Sequence, residues 1–187
     1  MKMIATLIFV ASATMALGQQ PVNPFALTDV ADGSSVSLDS YSTPVVVIFT
    51  SNECAYDNYY TSRIKSLIGQ YAGKIQFILI NAHVGPAESA EQMSMKYKTW
   101  GLNVPYLADK DQLAMDILGA RKSPEAFLLQ KTAGKYFLVY KGLIDDNPQV
   151  ASDVKQNYLK ENIDKLLAGQ KITVPEMRAI GCSIRKK

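Results

Sequence analysis

The chain has 187 residues, of which 48% are hydrophobic and 20% charged, and its formal net charge is +3. This length corresponds to one ordinary domain with a sizeable core, and the composition excludes a disordered chain and a bundle of membrane helices. The small positive charge gives no indication of nucleic-acid binding or of attraction to an anionic membrane surface.

The beginning of the chain has the composition of an export signal. A basic start precedes an apolar run over residues 4–11, and the small residues Ala16 and Gly18 suit cleavage by a signal peptidase. The apolar stretch is too short, and too interrupted by polar residues, for a lasting membrane anchor. We therefore expect residues 1–18 to be removed, residues 19–187 to form one domain, and the mature protein to be periplasmic or secreted.

The mature chain begins with a pattern that predicts a β-hairpin. Apolar and polar residues alternate over 25–29 and again over 35–38, and Asp32-Gly33 between them suits a tight turn. Five consecutive β-branched or aromatic residues follow at 45–49. Such a run is typical of a central strand that is buried on both faces.

Cys54 is the candidate reactive residue. A short polar turn, residues 50–53, leads from the buried strand to Cys54 and to a helix predicted over residues 56–71. A thiol in the first turn of a helix lies near unpaired backbone N–H groups and the positive end of the helix dipole, which favour the thiolate. A second buried strand, residues 75–80, ends close to His83, the only histidine.

The second half of the chain mixes helices and strands. Its predicted elements are a helix at 88–100, an extended segment at 104–107, a helix capped by Asp109 or Asp111 and ending at Leu118, strands at 125–129 and 136–140, and a helix at 148–167. Residues 169–187, which contain Cys182, are predicted to be an irregular tail. A βαβ unit followed by a hairpin and a closing helix implies an α/β fold whose mixed sheet has helices on both faces.

Three features of the sequence occur together in a known fold. They are the strand, turn, Cys54 and helix described above, Ser123-Pro124 ahead of a strand, and the combination of Gly-Leu-Ile-Asp-Asp-Asn at 142–147 with Ile-Gly-Cys-Ser-Ile at 180–184. With these features the chain resembles the thioredoxin-like superfamily, specifically exported redoxins of the alkyl hydroperoxide reductase and thiol-specific antioxidant kind. The resemblance implies a thioredoxin-like fold from about Phe25 onward. It also implies a cis bond before Pro124, which would lie against the turn that carries Cys54.

The turn departs from the pattern of this subgroup, which is Cys-Asn-His-Cys-Pro-Tyr. The corresponding residues are Ser51, Asn52, Glu53, Cys54, Ala55 and Tyr56. In a thioredoxin the first cysteine is the exposed nucleophile and the second resolves the mixed disulfide. Because the hydroxyl of Ser51 cannot replace that nucleophile, the resemblance does not extend to ordinary dithiol exchange through this turn.

The first function consistent with the altered turn is a peroxiredoxin-like peroxidase. The hydroxyl of Ser51, three residues before Cys54, would bind the peroxide. Arg121 would help to stabilise the thiolate, and Cys182 would resolve the sulfenic acid. The proline that opens the peroxiredoxin motif is replaced by Ile48, which counts against this function.

Two other functions remain open on the sequence. Cys54 and Cys182 can form a pair that is redox-active or structural, since two cysteines in an exported chain are more often paired than free. The expected partners are then protein thiols and disulfides, or a peroxide, together with an external reductant or thiol. Alternatively, the chain is an inactive thioredoxin-fold binding protein in which the pair serves only as a structural disulfide.

The remaining candidates are expected to support the site around Cys54. Ser123 and Pro124 would border it, and Glu53 would either relay a proton or act as a carboxylate at a helix N-terminus, where its charge is favourable. No cofactor motif occurs. One histidine and two distant cysteines do not make a zinc site, and residues 145–147 are expected to form a turn, so no metal is expected.

Overall fold

A computed structural model describes residues 21–187, so the predicted export signal lies outside the described residues. Within this range the strands are β1 (Pro21–Val22), β2 (Ala26–Asp29), β3 (Ser35–Ser37), β4 (Val45–Phe49), β5 (Gln76–Asn81), β6 (Tyr106–Ala108), β7 (Lys122–Ser123), β8 (Glu125–Thr132), β9 (Lys135–Gly142) and β10 (Cys182–Ser183). The helices are α1 (Ala55–Gln70), α2 (Ala90–Trp100), α3 (Leu113–Leu118) and α4 (Tyr158–Leu167). None of the helices in this range is long and apolar enough to span a membrane.

Strand β4 lies inside an eight-stranded mixed sheet with the order β1-β9-β8-β4-β5-β6-β2-β3. It pairs in parallel with β5 and antiparallel with β8, and all five of its residues are buried. Strands β2 and β3 form the predicted hairpin at the edge of the sheet, and β8 and β9 form the second predicted hairpin. The expected α/β fold with a mixed sheet is confirmed.

Two hydrophobic cores lie on opposite faces of the sheet, because side chains alternate along a strand. Val46 and Ile48 of β4 pack in the core that contains the buried residues of α1, α2 and α4. Val47 and Phe49 pack in the other core, with the buried residues of α3. The end of β4 and the start of α1 are therefore held by packing on both faces of the sheet.

Helices α1 to α3 differ from the prediction mainly at their ends. Cys54 is the N-cap residue of α1, one position before the helix begins. Helix α2 begins at Ala90 rather than at residue 88, because Pro86–Glu88 forms a 3₁₀ turn and Ser89 caps the helix. Asp109, one of the two predicted caps of α3, accepts a hydrogen bond from the N–H of Met115.

The prediction of a last helix from residue 148 was wrong by ten residues, since α4 begins at Tyr158. Side-chain acceptors bind the backbone N–H groups of the intervening segment. Asn147 Oδ1 accepts from Gln149 and Val150, and Asp146 Oδ1 accepts from Lys155 and Gln156. Such local side-chain bonds compete with helical ones.

The tail predicted over residues 169–187 is mostly irregular, but it is fastened to the domain. Its residues 182–183 form β10, and the N–H of Met177 donates to the carbonyl oxygen of Lys141. Gly142 permits this contact, because a Cβ atom there would overlap the carbonyl group of Met177 and its φ is +130°. The tail is therefore a packed part of the domain.

Residues 145–147 form the expected turn, and the turn carries a buried ion pair. Arg63 Nη1 lies 2.5 Å from Asp145 Oδ2, and the exposed fractions of the two side chains are 14% and 2%. The hydroxyl of Tyr60 donates to Asp145 Oδ1 at 2.9 Å, and the guanidinium of Arg63 lies over the Tyr60 ring. These contacts join α1 to the segment that follows β9.

We expect Arg63→Met to lower the free energy of unfolding by about 3–5 kcal/mol, because it leaves the buried carboxylate of Asp145 without its cation. Lys160→Met is the matched control, since it removes an exposed pair with Asp164 and is expected to cost less than about 1 kcal/mol. Urea denaturation of both variants measures the difference. Equal losses would contradict a special contribution from the buried pair.

Candidate active site

The site lies where β4 ends and α1 begins, beside the bond between Ser123 and Pro124. This bond is cis, as expected from the resemblance, and both residues are buried. Strands β7 and β10 form a separate two-stranded antiparallel sheet, in which Cys182 of β10 lies directly opposite Ser123 of β7. Three distant parts of the chain therefore meet at Cys54.

Cys54 and Cys182 form a disulfide across 128 residues of sequence, with their Cα atoms 5.9 Å apart. Cys54 is only 4% exposed, whereas Cys182 is partly exposed. The Sγ atom of Cys54 lies 3.4 Å from the carbonyl oxygen of Ser123. In the reduced protein a thiol at this position has an acceptor for its proton. The pairing that the sequence left open is thus formed in this structure.

The segment that carries Cys182 approaches the backbone of Ser123 closely. A Cβ atom on Gly181 would overlap the carbonyl group of Ser123. On the other side of Cys182, the N–H of Ile184 donates to the carbonyl oxygen of Arg121 at 3.0 Å. These contacts hold the position of Cys182 independently of the disulfide.

Ser51 occupies the position of the missing first cysteine, and its hydroxyl makes one donated and two accepted hydrogen bonds within the turn and to Glu88. The hydroxyl donates to Glu88 Oε1 at 2.5 Å and accepts from the N–H groups of Glu53 and Cys54, both at 3.1 Å. Ser51 is 2% exposed. Its hydroxyl therefore stabilises the turn and has no free hydrogen-bonding capacity directed at solvent.

Glu88 is the residue that holds this turn, and sequence reasoning missed it. Its carboxylate accepts from the N–H of Asn52 at 2.9 Å and from the side-chain amide of Asn81 at 2.6 Å, in addition to the Ser51 hydroxyl. Burial opposes ionisation of Glu88, but these hydrogen bonds outweigh it and lower its pKa. The turn is thus held by hydrogen bonds to the buried, ionised carboxylate of Glu88.

An open pocket of about 310 Å³ lies in front of the disulfide. Besides both cysteines, its lining includes Ser51, Glu53, His83, Glu88 and Arg185. His83 Nε2 lies 2.8 Å from Ser123 Oγ, and burial lowers the pKa of this imidazole. A histidine that is neutral at pH 7 therefore borders the site. Within residues 21–187 no group of three or more metal-ligating side chains is found.

The other predicted site residues occupy different positions. Glu53 is exposed at the edge of the pocket. Arg121 is also exposed, and its backbone N–H donates to the buried Glu125 at 2.7 Å. The arginine that lines the pocket is Arg185, which the sequence did not single out. The proposed role of Arg121 in stabilising a thiolate stays a prediction.

Asp57, one turn into α1, is a buried carboxylate beneath the site. It is 2% exposed, and among the described residues neither of its side-chain oxygens makes a hydrogen bond. The small space beside it is lined largely by apolar or aromatic side chains, including Ile64, Leu79 and Trp100. Burial raises the pKa of Asp57 to about 7. Asp57 was not among the residues that the sequence singled out.

The pKa of Asp57 predicts how stability depends on pH. The folded protein retains this proton up to about pH 7, whereas the unfolded chain loses it near the ordinary value of 3.8. The free energy of unfolding is therefore expected to fall by about 4 kcal/mol as the pH rises between these values, and to change little above them. Asp57→Asn should remove this dependence and be more stable than wild type at pH 8.

Denaturation series from pH 4 to pH 8 measure this effect, with Asp153→Asn as the control because Asp153 is exposed. The control should keep the slope of the wild type. A slope that persists in Asp57→Asn would show that Asp57 is not its source.

Two solved structures of similar sequence cover most of the chain. An uncharacterized conserved protein from Geobacillus kaustophilus is 29% identical, with a TM-score of 0.79 over 90% of this chain and 92% of that one. A hypothetical protein from Sinorhizobium meliloti 1021 is 28% identical, with a TM-score of 0.80 over 90% of this chain and 94% of that one. No curated protein matches the chain significantly.

A more distant structure shows the fold. A secreted disulfide oxidoreductase from Mycobacterium tuberculosis is 14% identical, with a TM-score of 0.58 over 75% of this chain and 94% of that one. The thioredoxin-like fold expected from the sequence is confirmed. The family model described as AhpC/TSA matches residues 19–155. With its cysteine at the start of α1, its cis Pro124 and this match over most of its length, the chain belongs to the AhpC/TSA family.

Proposed function

We propose that the protein is an exported thiol–disulfide oxidoreductase in which Cys54 and Cys182 are the redox-active pair. One observation carries the proposal. The cysteine at the start of α1 is bonded to a cysteine that lies opposite Ser123, next to an open pocket. Cys182 thus supplies the second sulfur that the turn lacks at Ser51.

The chemistry is a two-electron exchange with another thiol or disulfide. When the pair is reduced, a partner dithiol gives up two electrons and two protons and becomes a disulfide, while Cys54 and Cys182 become thiols. The reverse reaction oxidises a partner. Protein thiols or disulfides are therefore the proposed substrates, and an external thiol reductant or oxidant restores the starting state.

The surroundings of Cys54 favour this function over peroxide reduction. A peroxidase would use the hydroxyl of Ser51 to bind the peroxide, but this hydroxyl is buried and donates to Glu88. The carbonyl oxygen of Ser123, which belongs to the peptide bond with Pro124, is within reach of a reduced Cys54 thiol. We propose that Ser123 and Pro124 support the reduced state in this way.

The redox role predicts a disulfide that opens and closes within the folded protein. We expect the pair to equilibrate with dithiothreitol or glutathione buffers with a reduction potential above about −300 mV, the range of catalytic rather than structural disulfides. Thiol counting by mass spectrometry gives the potential, and circular dichroism checks that both forms are folded. Cys54→Ser and Cys182→Ser should each abolish turnover in a reductase-coupled assay.

The inactive alternative makes the opposite prediction. A purely structural disulfide across 128 residues would stabilise the fold by up to about 4–5 kcal/mol in the loop-entropy model. It would resist reduction until the protein unfolds. Loss of the folded state together with the bond would therefore contradict the redox proposal.

The proposed location follows from the predicted signal at residues 1–18. We expect expression in a bacterial host to give a mature protein in the periplasm or medium whose first residue is Gln19, because signal peptidase cleaves after small residues. N-terminal sequencing of the recovered protein tests this. Recovery only in the cytoplasm with Met1 retained would contradict it.

A further inference from the structure

We propose that partner sulfur atoms react with Cys182, and that Cys54 is the buried second sulfur of the pair. The inference rests on the proposed redox function and assigns the two roles within it. It reverses the order expected from the sequence, in which Cys54 is the working thiol and Cys182 resolves.

The first argument is access. Cys54 is 4% exposed, and its sulfur lies between the start of α1 and the carbonyl oxygen of Ser123. Cys182 is partly exposed, and the residue that follows it is exposed. Because exchange rates depend on which sulfur can be approached, the external partner reaches Cys182 first.

The second argument is the direction of attack. In thiol–disulfide exchange the attacking, central and leaving sulfur atoms lie nearly in line. Attack on Cys182 comes from the side away from Cys54, and Cys182 is partly exposed and followed by an exposed residue. Attack on Cys54 has to come from the side away from Cys182, and Cys54 is buried.

Charge does not decide between the two sulfur atoms. Arg185 lines the pocket and would favour a thiolate, but the carboxylates of Glu53 and Glu88 line the same pocket and would oppose it. The opposed charges leave access as the discriminating factor.

The exchange then proceeds in two balanced steps. A partner thiolate forms a bond to the sulfur of Cys182 while the bond between Cys182 and Cys54 breaks, and the electron pair of that bond remains on Cys54. Cys54 takes up the proton released by the partner thiol, and the carbonyl oxygen of Ser123 accepts a hydrogen bond from the new thiol. A second thiol of the partner then attacks the partner sulfur in the mixed disulfide, which forms the partner's own disulfide. The electron pair of the broken bond remains on Cys182, which takes up the proton of that second thiol.

The backbone around Cys182 suits it to this role. Pairing of β10 with β7 and the close contact of Gly181 with Ser123 do not depend on the disulfide. Cys182 therefore stays opposite Ser123 while it carries a partner. When the protein itself is re-oxidised, Cys54 is then close enough to attack Cys182 in the mixed disulfide. This attack re-forms the bond between Cys54 and Cys182 and releases the partner as a thiol.

The rates of the two thiols with an aromatic disulfide test the assignment. Cys54→Ser leaves only Cys182, and Cys182→Ser leaves only Cys54. Each folded variant is mixed with 5,5′-dithiobis(2-nitrobenzoic acid), and its rate is divided by the rate of the same variant in guanidinium chloride, which removes intrinsic differences. We expect the relative rate of Cys182 to exceed that of Cys54 on the order of tenfold or more, because Cys182 is the more exposed of the two.

A measurement on the wild type covers the case in which a variant does not fold. The reduced protein is treated with a limiting amount of iodoacetamide, and peptide mapping identifies the first cysteine to be alkylated. Cys182 is expected. Equal labelling, or faster reaction of Cys54 in either experiment, would overturn the assignment and leave the redox function standing. Failure of the folded protein to be reduced would instead overturn the proposed function.

Discussion

The carboxylate of Glu88 is the contact on which the geometry of the site depends. It binds the hydroxyl of Ser51 and the backbone N–H of Asn52, and the same hydroxyl accepts from the N–H of Cys54. The turn between β4 and α1 is therefore fixed by a buried anion at the place where related folds carry a reactive sulfur. The position of Cys54 follows from this turn, whereas the position of Cys182 is set by the pairing of β10 with β7.

Two buried carboxylates near the start of α1 show how environment decides charge. Glu88 has several donors, and its pKa is lowered despite burial. Asp57 makes no hydrogen bond to the described residues, and its pKa is raised to about 7. The ionised carboxylate of Glu88 stabilises the turn, whereas protonation of Asp57 removes a negative charge from the core. An interior that held both as anions would be less stable.

Local patterns in the sequence predicted most of the fold but only part of the site. The apolar run at 45–49 is a local signal, so the buried strand was predicted correctly, and the resemblance to the thioredoxin-like superfamily correctly implied the cis bond before Pro124. Glu88 acts on a residue 37 positions away, and no local pattern reports such a contact. Asp57 has the sequence context of a solvated acidic residue, and only the packing of α1 shows that it faces inward. The start of α4 was misjudged because Asp146 and Asn147 bind the following backbone.

The distance along the chain between the two cysteines has a consequence for biosynthesis. Cys182 follows Cys54 by 128 residues, so strands β5 to β9 and helices α1 to α4 are synthesised before the pair can meet. A nascent chain shorter than this carries Cys54 as a single thiol that has no internal partner. The first βαβ unit therefore does not contain both sulfur atoms, and the proposed redox pair can form only after β10 has been synthesised.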